Sequence, residues 1–143
     1  MNTILIFLGI IILIIVVKFT TEYDKDKTDL QFQPIQEKFR VIVNMINETA
    51  FNGTGSVTKI DTRSINLYKA GENQIINFMY STGHLTITWR YKYFQKEVVH
   101  EKLFSNVRNL SLFEQEKIAS VMINEMSQVV EKHKVEVLEG SNY

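Results

Sequence analysis

The sequence predicts an α+β fold: an N-terminal transmembrane helix, then a helix, a four- to five-stranded antiparallel meander and a long C-terminal helix. Both later helices are placed on one face of the sheet. Three patterns predict it. An apolar block opens the chain, two-residue alternation fills its middle, and a stripe at helical spacing closes it. Of the 143 residues, roughly 20 go to the anchor and about a dozen to a polar tether, leaving about 110 for one small domain with its own core. The expected division is residues 1–20 as anchor, 21–33 as tether and 34–140 as the α+β domain.

The run Ile4–Val17 contains only Phe7 and Gly9 besides aliphatic residues, so as a helix it offers no face to water. Its 14 residues span about 21 Å, short of the roughly 30 Å hydrocarbon core. Asn2 and Thr3 on one side and Lys18–Thr21 on the other extend it to about 20 residues. Lys18 flanks the span, with its stem in the acyl region and its ammonium among the headgroups. A cleaved signal peptide would have an apolar region of this length. It would also need a basic start and a small-x-small cleavage site, and neither Met1-Asn2-Thr3 nor Lys18–Glu22 supplies one. A buried core helix would need more surrounding chain than this domain provides. Lysine and arginine near the span set its orientation. The N-terminal side has none, whereas Lys18, Lys25 and Lys27 follow the block, with Lys38 and Arg40 beyond. That bias puts the domain on the cytoplasmic side.

Thr20–Gln33 is dense in Asp, Lys and Thr with no periodic apolar residues, the pattern of a flexible tether reaching about 20 Å. Pro34 suits the first turn of a helix, along which Ile35, Phe39, Ile42, Val43, Ile46 and Ala50 form one stripe. Asn52-Gly53 reads as its left-handed stop. Strands are expected near Ser56–Asp61, Ser64–Lys69, Gln74–Tyr80, Leu85–Phe94 and Glu97–Phe104, with turns at Ala70–Asn73 and Ser81–His84. The fourth strand alternates most cleanly: Leu85, Ile87, Trp89, Tyr91 and Tyr93 against Thr86, Thr88, Arg90 and Lys92. Ser111-Leu-Phe-Glu114 matches a capping box. Ile118, Met122, Met126, Val129, His133 and Val137 then continue a helix of about 25 residues.

Chemistry is sparse. With no cysteine there is no disulfide framework or thiol nucleophile, and sixteen basic against sixteen acidic residues argue against nucleic acid as a partner. Glu97 and His100 have the spacing of a Glu-x-x-His metal motif, but on a strand residues three apart point to opposite faces. His133, Glu136 and Glu139 share a helical face as an adventitious cluster at most, and His84 falls in a turn. Gly53-Thr-Gly55 follows a helix, where a phosphate loop would follow a strand. With 11 asparagines and 19 Ser or Thr, about one or two sequons arise by chance, so the three at Asn47, Asn52 and Asn109 carry little weight. No catalytic, metal or cofactor residues are assigned.

Two features bear on function. Arg90-Tyr-Lys-Tyr-Phe-Gln-Lys96 interleaves basic and aromatic residues. Its plain reading is a solvated strand face with tyrosines packed behind it. As a functional surface it makes Arg90, Lys92 and Lys96 the candidate membrane or partner contacts. Charge is also segregated: Val57–Arg108 carries eight basic and four acidic residues, Leu112–Gly140 three basic and six acidic. Within one domain this segregation attracts the last helix to the sheet, the preferred reading; the alternative is a polarised surface for a protein partner or a homo-oligomer. The sequence therefore describes a single-pass membrane-anchored domain, held to the bilayer through residues 1–20, acting as a non-catalytic binding or accessory module. The alternative is a lipid- or small-molecule-binding protein or enzyme. Its cavity, between sheet and helices, would be lined by Phe78, Tyr80, Trp89, Tyr91 and Tyr93.

Overall fold

The computed structural model describes residues 2–140, and their order is helix, meander, helix as the sequence predicts. Helix α1 (Asn2–Phe32) is followed by a short α2 (Ile35–Lys38) and α3 (Arg40–Phe51). Strands β1 (Ser56–Asp61), β2 (Ser64–Tyr68), β3 (Gln74–Ser81), β4 (His84–Tyr93) and β5 (Lys96–Phe104) precede the long α4 (Leu112–Gly140). The five strands form one antiparallel sheet in the order β1-β2-β3-β4-β5.

Alternation decides which face is covered. Ile65, Leu67, Ile76, Phe78, Leu85 and Ile87 point to one side and pack against Ile42, Ile46, Met122 and Met126 of α3 and α4. The partners in register confirm a shared face, with Ile65 opposite Phe78 and Phe78 opposite Ile87. Thr86, Thr88, Arg90 and Lys92 fall on the other, wetter face, as period-2 geometry requires. His84 belongs to the start of β4, not to the turn. That turn is Thr82-Gly83, with both residues at positive φ (53° and 74°), the type I′ geometry that matches strand twist.

Two further expectations are corrected. The expected flexible tether is helical: α1 continues without a break to Phe32. Its stripe is charged instead of apolar, with Glu22, Asp26 and Asp29 on one face and Asp26 wholly buried. The helix expected from Pro34 is interrupted at Phe39, whose φ and ψ (−110° and 30°) leave the helical region. Gln115 of α4 inserts there. Its Nε2 donates to the Lys38 carbonyl at 3.0 Å and its Oε1 accepts from the Val41 N–H at 3.2 Å, satisfying both sides of the break.

Pro34 is the N-cap of α2, one position ahead of its first turn, while the end of α3 and the start of α4 form as expected. Asn52 takes the left-handed conformation (φ 52°) that ends α3. Ser111 and Glu114 make the reciprocal capping box: the Glu114 N–H donates to Ser111 Oγ at 3.1 Å, and the Ser111 N–H to Glu114 Oε2 at 2.7 Å. These bonds hold the Glu114 carboxyl below the usual carboxylate range. Replacing Ser111 by Ala is expected to cost about 1 kcal/mol, read as a lower urea midpoint. An unchanged midpoint would mean that α4 starts elsewhere.

Candidate functional site

The acidic stripe of α1 meets one end of the sheet. Glu22, Asp26 and Asp29 are spaced four and three residues apart, which on a helix aligns their carboxylates. Facing them are Arg63 from the β1–β2 turn, the Thr82-Gly83 turn and Arg108 from the β5–α4 connection. Three separate hairpin or loop ends thus converge on one helix.

Asp26 is the centre. It is fully buried, its Oδ2 lying 3.0 Å from Arg63 Nη1 and its Oδ1 2.9 Å from Arg108 Nη2. The backbone N–H of Gly83 donates to Oδ1 at 3.1 Å, and that of Thr82 donates to Oδ2. A buried carboxylate is costly unless its lone pairs are satisfied. Here two cations and two backbone donors satisfy them. The left-handed turn matters to this geometry, because it aims two successive N–H groups at one carboxylate.

The flanking contacts widen the clamp. Arg108 also reaches Glu22 Oε2 at 2.7 Å and Asp29 Oδ2 at 3.3 Å, and Lys38 Nζ lies 3.5 Å from Asp29 Oδ2. Lys25 and Arg108 hold the Glu22 carboxyl below its ordinary range. The Arg63 guanidinium stacks 4.1 Å over the Tyr23 ring and donates to the Tyr23 carbonyl at 3.2 Å. From within the core the Tyr80 hydroxyl donates to Asp29 Oδ2 at 3.3 Å. Burial pushes that phenol well above its usual pKa, so it stays a donor.

The residues singled out from sequence sit elsewhere. Arg90, Lys92 and Lys96 lie toward the opposite end of the sheet. Counting along β4, Lys92 is eight residues from His84, about 27 Å away. Arg90 is paired with Glu97 at 3.0 Å, with both side chains in contact with water. Lys18 lies on α1, about 12 Å before Asp26, so the structure does not bring it together with the basic stripe. Between Lys92 and Lys96 the β4–β5 turn puts Phe94 and Gln95 at positive φ (47° and 63°). Positions of this kind favour Asn-Gly, and a bulky aromatic there is strained. Phe94 is nonetheless 70% exposed, stacked edge-on against Tyr93.

The aromatic residues weighed as a cavity lining serve mainly as core. Phe78 and Tyr80 are fully buried, Trp89 and Tyr91 nearly so, and Tyr93 packs against them. Trp89 Nε1–H donates to Gln74 Oε1 at 2.9 Å, satisfying its polar atom. Among the histidines, His100 and Lys102 both contact the Glu125 carboxylate of α4, and His133 Nε2–H donates to the Lys96 carbonyl at 2.9 Å. These contacts join the basic sheet to the acidic helix within one domain, which accounts for part of the charge segregation.

Sequence reasoning missed the clamp because it looked only for apolar periodicity in residues 20–33. The signal was the helical spacing of Glu22, Asp26 and Asp29. Compared with known proteins, the chain matches no family model, no curated protein and no solved structure.

Proposed function

We propose that this protein is a single-pass membrane protein whose α1 crosses the bilayer and carries the α+β domain at a fixed attitude to the cytoplasmic surface. The domain works there as a non-catalytic binding or accessory module. The burial of Asp26 between Arg63, Arg108 and two backbone donors carries the proposal, because it makes the anchor and the domain one mechanical unit. Supporting it, the large apolar side chains from Ile4 to Val17 are 47% to 71% exposed. A soluble protein rarely leaves so large an apolar surface to water, and a core helix would have its faces covered.

A fixed attitude has a consequence for binding. With one end of the sheet clamped to α1, the opposite end stands about 27 Å from the clamp along β4. Arg90, Lys92 and Lys96 with the strained, exposed Phe94 form the surface offered there to a protein partner or a second copy. An exposed aromatic in the turn between Lys92 and Lys96, with Arg90 already paired to Glu97, suits a partner with an apolar pocket and some acidic surface.

A fluorescent protein that matures only in the cytoplasm, fused after Tyr143, tests attachment and sidedness together. The cells should be bright, and the fluorescence should remain in the membrane pellet after an alkaline carbonate wash. Release by carbonate would remove the transmembrane assignment, and a dark pelleted fusion would reverse the orientation.

A further inference from the structure

Beside the clamp, between the last apolar turns of α1 and the end of the sheet, lies an open notch of about 500 Å³. Its two walls differ in chemistry. Ile15, Lys18 and Phe19 come from α1 at spacings of three and four, hence from one helical face. Thr82, His84 and Asn106 come from the domain. Ile15 and Phe19 are 61% and 58% exposed, so the floor of the notch is apolar and open. Lys18 lines it and has no ion-pair partner among the described residues. Opposite, His84 Nδ1 is buried with no hydrogen-bond partner among them. One carboxylate, Glu22, also borders the notch, but Lys25 at 3.1 Å and Arg108 at 2.7 Å already neutralise it. The charge left unpaired is therefore the positive charge of Lys18.

An apolar floor beneath a free cation and polar side chains calls for a ligand with an acyl tail and an anionic head. We propose that the notch holds one anionic phospholipid, its headgroup phosphate against Lys18 with His84 and Asn106 opposite, and its acyl chain along Ile15 and Phe19. The inference rests on the membrane assignment of α1, which places Lys18 at headgroup depth directly after the apolar block. Because the two walls belong to helix and domain, a bound lipid would add a second tie between them. It would stabilise the docked arrangement by mass action.

The test uses the full chain in neutral detergent, titrated separately with phosphatidylglycerol, phosphatidylcholine and inorganic phosphate. Bound lipid is counted by native mass spectrometry, and the thermal midpoint is followed by Trp89 fluorescence. One phosphatidylglycerol per chain is expected, with a rise in midpoint, weaker retention of phosphatidylcholine and no shift with millimolar phosphate. Lys18→Gln should weaken phosphatidylglycerol about five-fold, the effect of one cation near a headgroup. Lys18→Arg should restore it, and Lys27→Gln, the same charge change on the exposed side of α1, should leave it unaltered. Equal binding by Lys18→Gln and the native chain overturns the site, as does equal weakening by Lys27→Gln. Stabilisation by inorganic phosphate alone overturns the lipid assignment. A parallel carbonate wash separates the failures: a pelleted chain with unaltered Lys18→Gln binding loses only the notch, whereas a released chain loses both.

Discussion

Replacing Asp26 by Ala in the full chain should lower stability by about 3–5 kcal/mol, the cost of removing one partner from a buried ion pair. For a domain of this size that corresponds to a thermal midpoint roughly 10–20 °C lower. The loss has several sources acting together. Arg63 and Arg108 keep their charges in a largely enclosed site, and the N–H groups of Thr82 and Gly83 lose their acceptor. Asp26→Asn should fall between the two, because one amide oxygen can still accept from one donor. Asp24→Ala, on the exposed face two residues earlier, should stay within about 0.5 kcal/mol of the native chain. Equal midpoints for Asp26→Ala and Asp24→Ala would mean that α1 is not docked on the sheet, and the fixed attitude of the domain would go with it.

A second large effect is expected at Phe78. Its side chain is fully buried between the sheet and the two covering helices, so Phe78→Ala should cost about 3–5 kcal/mol through lost burial and the void left behind. Met79, its neighbour on the other face, is 45% exposed, and Met79→Ala should cost far less. The contrast separates packed core from ligand cavity. A residue lining a cavity already lacks neighbours on one side, so its truncation removes fewer contacts. A urea midpoint for Phe78→Ala close to that of Met79→Ala would therefore restore the aromatic cavity as a candidate site.

Much of the architecture could be read from local pattern. Leu85 to Tyr93 alternates because one face of β4 is covered and the other is wet, and a two-residue period depends on nothing distant. Ser111 and Glu114 satisfy each other across a single turn, so the start of α4 was visible in four residues. The apolar block at Ile4–Val17 announced itself by composition alone. For these elements the controlling interactions are close in sequence or set by water.

The clamp was decided by tertiary structure. Asp24, Lys25, Asp26 and Lys27 read as solvated tether because each of those side chains is polar, and polarity usually means exposure. Asp26 is buried only because Arg63, Thr82, Gly83 and Arg108, lying 37 to 82 positions further along, converge on it. No local pattern encodes that convergence, since the meander itself brings the β1–β2 turn, the β3–β4 turn and the β5–α4 connection to one end of the sheet. The break at Phe39 has the same origin, because Gln115 enters it from a helix distant in sequence. Local periodicity set the elements of this protein and the face each one buries. How α1 and the rest of the domain are joined depended on long-range charge pairing, whose stabilisation exists only once the turns have come together.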